Sequence, residues 1–348
     1  MKPMKLVTAL TVATSLSGAA FAQVNLSAET ASPTGVPGNT VLALGEVASS
    51  AGVANIQVAT GQTLTNSIQN AAEGKTDISA APFILPFLMS KGAGPYAKLG
   101  KEKGAELAGN LAVLYTYRLG TFALSSFESS SVKGWGDLEG KTIYNGPPRG
   151  GALTNARQII KLTAGLEEGE GYTGVQVNWG QAVKTIQDGS ADAHVLPTSF
   201  PDGRLNAASS AGKLTMYSMP KEVFESEAMQ KYAKAPGSGA VEVPLDVAYQ
   251  GDAIDIVSED GMFRGVATIG GEVVRKDMDE ALAYKLTKAF LDNLDLVFSK
   301  TPFLPNAAIG EVEDTNITGM CGANPLKYHA GAVRAWEEAG FTVPDCAK

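Results

Sequence analysis

The chain has 348 residues, and its 36 acidic and 28 basic side chains give a formal net charge of −8 at pH 7. An acidic chain of this kind excludes a protein that wraps the phosphate backbone of nucleic acid. The length exceeds one hydrophobic core and predicts two domains of roughly 150 residues each.

Residues 1–22 are typical of a cleavable secretory signal peptide. Lys2 and Lys5 form a basic start, "LVTALTVATSLSGAA" is a moderately apolar middle, and Ala20-Phe21-Ala22 is a cleavage site of the small-x-small type. Without the two lysines the net charge becomes −10. No cysteine follows the cleavage site, so we predict a bacterial periplasmic protein that is not lipid-anchored. No later stretch offers the roughly 20 apolar residues of a membrane span.

The mature chain opens with a pattern that predicts a βαβ unit. "VNLSAETA" (Val24 to Ala31) and "IQVATG" (Ile56 to Gly61) are typical of strands, and "NTVLALGEVASSAG" between them is typical of a helix. Alternation of this kind predicts an α/β fold.

One pattern, called the echoed motif below, then occurs twice in the chain. "GKTDISAAP" (Gly74 to Pro82) and "GSADAHVLP" (Gly189 to Pro197) share G-x-x-D-x-x-x-x-P, and each follows a short helical run that contains Ile-Gln. Both stretches predict a helix, a glycine stop and a buried strand that ends at a proline. Either the match is chance, or the chain contains two similar lobes about 115 residues apart.

Three polar loops precede predicted helices. "TGQTLTN" (Thr60 to Asn66) and "NWGQA" (Asn178 to Ala182) stand before the two echoed helices, and "NGPPRGG" (Asn145 to Gly151) stands before a helix that Gly165 ends. In open α/β sheets ligands bind at the carboxyl ends of strands, against helix N-termini. Such a helix N-terminus favours an anion, so we expect a cleft between the lobes with an anion site at "NGPPRGG".

The final third predicts a strand from Gly271 to Arg275, and then one long helix. Asp277 and Glu280 are expected to form its capping box. One apolar face is expected to contain Leu282, Leu286, Phe290, Leu294 and Val297. A last helix is predicted in "HAGAVRAWEEAG". We expect the aromatic residues here to pack in the core.

The two cysteines, Cys321 and Cys346, lie near the C-terminus. In an oxidising compartment they favour one disulfide, with two free thiols as the alternative. With only two histidines, His194 and His329, no spacing indicates a zinc site. No nucleophile elbow, P-loop, zinc-protease or dinucleotide motif is present, so we predict neither an enzyme nor a bound cofactor.

Four stretches, in order, resemble the solute-binding proteins of TRAP transporters, specifically the TAXI branch. They are "GQTLTNSIQNAAEGKTDIS", "DLEGKTIYNGPPRGGALTNARQII", "ATIGGEVVRKDMDEALAYKLTKAF" and "NPLKYHAGAVRAWEEAG". The chain departs from that family where it has Arg149-Gly150-Gly151-Ala152 in place of Gly-Ser-Gly-Thr, and Gln62-Thr63 in place of Gly-Ser.

The resemblance implies a type II periplasmic binding fold: two lobes joined by a hinge, with a ligand cleft between them. We expect residues 23–117 and 223–348 to form lobe 1 and residues 118–222 to form lobe 2. The implied function is capture of a small organic anion (a carboxylate, amino acid or sulfonate) by a monomer. The solute would be delivered to the permease subunits of an ion-gradient-driven TRAP transporter. Alternatives are the receptor of an ATP-driven importer, a sensory module and a secreted hydrolase.

Candidate ligand-binding residues follow from the loops and from the resemblance. Arg149 is expected to clamp a carboxylate bidentately, and the amides of Gly150 and Gly151 to bind the same anion. Further candidates lie in the first lobe's loop, at the lobe crossing, in the first turn of the "NGPPRGG" helix and around the second echo. They are Thr63, Thr65, Asn66, Tyr115, Arg118, Thr154, Asn155, Trp179, Gln181 and Thr198. For the threonines and asparagines, helix capping is the alternative role.

As two carboxylates, Asp77 and Asp192 suggest a catalytic acid–base pair, but their positions favour another role. Each follows a glycine stop at the same position of the echo, which favours a repeated structural turn. His194 lies within a buried strand pattern and His329 near a helix start, so structural or exposed roles are expected for both.

Overall fold

A computed structural model describes residues 23–311, 320–321 and 324–348. The predicted signal peptide, residues 1–22, lies outside the described residues. Within those ranges the strands are β1 (Val24–Glu29), β2 (Ala54–Ala59), β3 (Ile78–Pro82), β4 (Leu111–Phe127), β5 (Thr142–Tyr144), β6 (Thr173–Val175), β7 (Ala193–Thr198), β8 (Leu214–Tyr217), β9 (Ser238–Pro244), β10 (Ile254–Val257) and β11 (Met262–Arg275).

The α-helices lie between and after these strands. They are α1 (Val36–Ser50), α2 (Leu64–Ala72), α3 (Ile84–Lys91), α4 (Gly100–Ala108), α5 (Gly151–Ala164), α6 (Ala182–Gln187), α7 (Gly203–Ala208), α8 (Lys221–Glu225), α9 (Glu227–Ala233), α10 (Glu280–Leu291), α11 (Leu294–Ser299) and α12 (Ala330–Glu338).

The sheet contains the same three-strand unit twice. Its order is β2-β1-β3-β11-β4-β7-β5-β6, with β9 paired to β11, β8 to β4 and β10 to β8. At one end β1 lies between β2 and β3, and at the other β5 lies between β6 and β7, and all four pairings are parallel. The α/β class and the two-lobed architecture expected from the sequence are therefore confirmed.

The echoed motif forms the same hydrogen bonds in both units. Asp77 Oδ2 accepts from the amide of Ser27 at 2.7 Å, and Asp192 Oδ2 accepts from the amide of Thr142 at 2.8 Å. The backbone of each aspartate also bonds to the same partner residue: Asp77 N to Ser27 O at 3.1 Å, and Asp192 N to Thr142 O at 2.8 Å. The prediction of a repeated structural turn is confirmed, because each carboxylate, at the start of its strand, bonds to the neighbouring parallel strand of the sheet.

Two long antiparallel strands, β4 and β11, join the units. They pair from Ala267 opposite Thr121 to Arg275 opposite Leu111. A Cβ atom on Gly270 would lie 2.2 Å from Ala81 O, and one on Gly271 would lie 2.3 Å from Tyr115 O. Only glycine therefore lets β11 fit between β3 and β4. The lobe boundaries at 117/118 and 222/223 stay a prediction.

The final third departs from two expectations. The N-cap of α10 is Asp279, whose carboxylate accepts from Leu282 N at 2.8 Å, and not Asp277. Asp277 instead pairs with the guanidinium of Arg275. The expected long helix is also interrupted, since α10 ends at Leu291 and α11 begins at Leu294.

Two of the four aromatic residues in these helices, Phe290 and Trp336, are core residues as predicted, whereas Tyr284 and Phe298 are only half-buried. Phe290 and Trp336 are almost fully buried, and Trp336 Nε1 donates to Leu114 O at 2.9 Å. Cys321 and Cys346 form a disulfide with their Cα atoms 5.4 Å apart, which confirms the pairing favoured from the sequence.

Candidate functional site

A cavity of about 570 Å³ lies between the two lobes. Four loops supply most of its lining: residues within 31–37, 61–65, 147–152 and 178–180. Single positions elsewhere complete it: Pro82, Leu85, Leu119, Pro197, Arg204 and Thr268. Its size is within the range of small-molecule sites.

The sheet topology brings these loops together. They follow strands β1, β2, β5 and β6, each at the carboxyl end of a parallel strand. The repeated unit therefore contributes two loops from each lobe, at the edge where open α/β sheets bind ligands.

Three helices begin at this cavity without a side-chain cap. The N-cap residues are Gly35 for α1, Thr63 for α2 and Gly150 for α5, and none of their side chains accepts a hydrogen bond from the helix. By contrast, Asp279 caps α10 and His329 caps α12. The amide of Asn66 in α2 donates to Thr63 O at 2.8 Å. The other first-turn amides of α1, α2 and α5, except at Pro37, which has none, are donors with no intrahelical partner.

The charges of the cavity lining are all positive within the described part of the chain: the charged lining residues are Arg149 and Arg204, and no carboxylate lines it. Arg149 is exposed and makes no hydrogen bond or ion pair with any described residue. Arg204 is fixed, because its guanidinium donates to Pro197 O and pairs with Asp202 Oδ2 at 2.8 Å. Its Cζ also lies 5.0 Å from the centroid of the Trp179 ring, over its face.

Asp202 is ionised beside Arg204. Burial opposes its charge, but the Arg204 guanidinium and the backbone amides of Ser199 and Leu205 lower the pKa of its carboxyl overall. Burial lowers the pKa of the Arg204 guanidinium, but the charge of Asp202 and its hydrogen bond raise that pKa overall.

The two lobes touch beside the cavity. A Cβ atom on Gly150 would lie 3.4 Å from Thr65 Oγ1, and one on Gly151 would lie 3.2 Å from Ile84 Cγ2. The φ angle of Gly150 is +103°, which favours glycine. The "NGPPRGG" loop of one lobe therefore contacts the first lobe directly.

Six predicted site residues line the cavity: Thr63, Thr65, Arg149, Gly150, Gly151 and Trp179. The remaining seven lie outside the lining: Asn66, Tyr115, Arg118, Thr154, Asn155, Gln181 and Thr198. A ligand-binding role for any of the thirteen stays a prediction.

Several residues outside the lining have structural partners. Tyr115 is fully buried, stacks on Phe290 with centroids 3.8 Å apart, and donates to Thr40 O at 3.3 Å. The Asn155 amide donates to Thr268 Oγ1 at 3.2 Å. Thr198 Oγ1 donates to Leu196 O at 3.2 Å.

Sequence reasoning missed the loop at residues 31–37 and the side chains of Arg204 and Thr268. The first had a signal, because "SPTGVPG" (Ser32 to Gly38) follows β1 as "NGPPRGG" follows β5. If the comparison of the two units had included the first strand of each, it would have indicated the loop at residues 31–37. For Arg204 and Thr268 no local pattern exists.

Among the described residues, no cluster of three or more His, Cys, Asp or Glu side chains is placed to hold a metal ion. None of the described helices is both long and apolar enough to cross a membrane.

Fold and site together define a two-lobed α/β protein with the fold of periplasmic binding proteins and a cavity between its lobes. The profile of the NMT1-like family matches residues 30–340, so the chain belongs to that family. No curated protein matches the sequence.

Solved structures of low identity are similar to the chain. A protein from Bordetella bronchiseptica RB50 has 12% identity and a TM-score of 0.54, covering 92% of this chain and 99% of that chain. A TRAP periplasmic solute binding protein from Desulfovibrio salexigens DSM2638, in complex with diglycerolphosphate, has 13% identity and a TM-score of 0.47, covering 94% and 93%. The periplasmic aliphatic sulphonate binding protein SsuA from Escherichia coli has 10% identity and a TM-score of 0.42, covering 79% and 77%. At these identities the likeness concerns the fold.

Proposed function

We propose that this protein is a periplasmic solute-binding protein that captures a small organic anion between its lobes. One observation carries the proposal: three uncapped helix N-termini and an unpaired arginine open onto one cavity, and no carboxylate is among its described lining residues.

The helix N-termini supply both hydrogen-bond donors and positive potential. Each carries a partial charge of about +0.5 from the aligned peptide dipoles, and its first amides point out of the helix. Because α1 and α2 belong to one lobe and α5 to the other, an anion that accepts from both sides stabilises the closed arrangement of the lobes.

Arg149 adds a full charge to the α5 side of the cavity. Its guanidinium suits a carboxylate or a sulfonate because it donates two parallel hydrogen bonds. Arg149 stands between Pro148 and Gly150, and no described acidic side chain forms an ion pair with it.

The finer proposal is delivery to a TRAP-type permease, and it rests on the sequence resemblance to the TAXI branch. An ion-gradient-driven permease needs no ATP, whereas the alternative importer does. Uptake into membrane vesicles that contain the permease separates the two. Dissipation of the ion gradient abolishes uptake through a TRAP-type permease, whereas depletion of ATP abolishes uptake through an ATP-driven importer.

Binding is tested on purified residues 23–348, unfolded and refolded to remove any carried solute, against carboxylates, amino acids and sulfonates. A ligand at a hundred times its Kd adds about 2.7 kcal/mol to the stability of the folded state. For a chain of this length that raises the melting temperature by about 4 °C.

Two variants make the test specific. We expect Arg149→Ala to weaken binding of the active anion roughly 10- to 100-fold, since a charge-assisted hydrogen bond is lost. Arg334→Ala, on the surface helix α12, is the matched control and is expected to leave Kd unchanged. If no anion shifts the melting temperature, or if Arg149→Ala binds as well as the wild type, the proposal is wrong.

A further inference from the structure

Among the described residues that line the cavity there are two arginines, and one of them, Arg149, has no acidic partner. Arg204 contributes no free charge, because both ends of its guanidinium meet Asp202: Nη2 lies 2.8 Å from Oδ2 and Nε lies 3.3 Å from Oδ1. With the carboxylate counted, this pair is neutral, and Arg149 is the remaining cation of the described lining.

Asp202 is held too firmly to move aside for a ligand. It is 3% exposed, accepts from the amides of Arg204, Leu205 and Ser199, and donates its own amide to Gln250 Oε1 at 2.7 Å. Gln250 is itself fully buried and donates to Ser199 O at 2.9 Å. Separating Asp202 from Arg204 would leave a buried charge without a partner, which is strongly unfavourable.

Much of the remaining lining is apolar. Trp179 lies beneath the Arg204 guanidinium, so its indole is held in place by a cation–π contact. The apolar surface also comes from Pro33, Pro37, Leu64, Leu85, Leu119 and Pro197. This surface suits the body of an organic acid and not a second charged group.

We propose that Asp202 is a specificity-determining residue: by neutralising Arg204 it makes the cavity select singly charged organic acids with an apolar body over doubly charged ones. This inference rests on the proposed function. A helix N-terminus stabilises an anion by at most about 2 kcal/mol, less than the several kcal/mol that desolvation of a second carboxylate costs.

The experiment compares matched acids that differ by one terminal carboxylate, namely hexanoate with adipate and benzoate with terephthalate. Thermal shift and calorimetry on refolded residues 23–348 measure both members of each pair. In the wild-type protein we expect the monoanion to bind at least about tenfold more tightly than its dianion.

Asp202→Asn then tests the residue itself. The amide keeps the shape and an acceptor oxygen for the α7 amides, but it leaves the charge of Arg204 without a carboxylate to neutralise it. We expect the ratio of dianion to monoanion affinity to rise about tenfold over wild type. The affinities of monoanion and dianion are compared first in the wild-type protein. That test of selectivity therefore does not depend on whether Asp202→Asn folds.

The outcomes separate the two proposals. Dianions that bind as tightly as monoanions to the wild-type protein would overturn the selectivity and leave the anion receptor standing. An unchanged ratio in folded Asp202→Asn would overturn the role of Asp202. Absence of binding by every acid in these pairs and in the wider anion screen overturns the receptor proposal, and the selectivity with it.

Discussion

Gly151 lies against Ile84 across the cleft, with its Cβ position 3.2 Å from Ile84 Cγ2. Gly151 begins helix α5 in one lobe and Ile84 begins α3 in the other. A larger side chain at residue 151 would therefore crowd Ile84 at this contact between the lobes.

We predict that Gly151→Val holds the lobes apart and weakens anion binding roughly tenfold, because overpacking at a tight contact costs about 1–3 kcal/mol. The radius of gyration in solution, measured with saturating ligand, should be larger than that of the wild type. Gly134→Val is the matched control, since no atom lies within 4 Å of its Cβ position. A Gly151→Val protein with wild-type affinity and size would contradict this role.

The echoed aspartates should contribute to stability and not to binding. We expect Asp77→Ala and Asp192→Ala each to lower the free energy of unfolding by about 1 kcal/mol, because each loses a hydrogen bond from the neighbouring strand. Asn at either position keeps the acceptor and should recover most of the loss. Urea unfolding measures the stability, and an altered Kd in either alanine variant would argue against a purely structural role.

Glu272 should make stability fall as pH rises. It is fully buried on β11, and burial raises the pKa of its carboxyl to about 8, although Thr40 and Tyr117 donate to its Oε1 at 2.8 and 3.0 Å. From the ordinary value of 4.5 up to about 8 the unfolded chain loses this proton and the folded chain keeps it. This stabilisation is complete below pH 4.5 and is lost through that window, by at most about 1.4 kcal/mol per pH unit.

The measurement compares wild type with Glu272→Gln by urea unfolding at about pH 5.5 and about pH 7.5. Burial lowers the pKa of His194 to about 4, so titration of His194 makes stability rise with pH below its ordinary pKa of 6.5. Both proteins contain His194, so this contribution cancels when they are compared. We expect the stability difference to shift in favour of the glutamine variant as pH rises. Parallel pH dependences of the two proteins would show that Glu272 does not titrate in this window.

The disulfide should stabilise the tail without affecting the cavity. Its cysteines are 25 residues apart. A crosslink of that span stabilises the folded protein by roughly 3 kcal/mol, because it restricts the conformations of the unfolded chain. We predict that the double variant Cys321→Ser, Cys346→Ser loses about that much and binds anions with unchanged Kd. The wild-type protein under reducing conditions should match the double variant, and equal stability of oxidised and reduced protein would refute the prediction.

Local patterns predicted most of the elements. Alternating and helical periodicity located β1, α1, β2 and α5, and the glycine stop at Gly165 marked the end of α5. The misplaced cap at Asp277 shows the limit of such patterns. Both Asp277 and Asp279 have the right chemistry; in the structure Asp277 pairs with the Arg275 guanidinium and Asp279 caps the helix.

By itself, the sequence determined the α/β class, the repeated G-x-x-D motif and the loops that begin helices, because hydrogen-bonding needs and burial periodicity are local. The tertiary structure alone decided that four loops share one cavity, that Arg204 enters it already paired with Asp202, and that Gly151 meets Ile84. These relationships join residues far apart in the chain through the sheet order around β4 and β11. Such pairing depends on long-range packing that no short stretch of residues encodes.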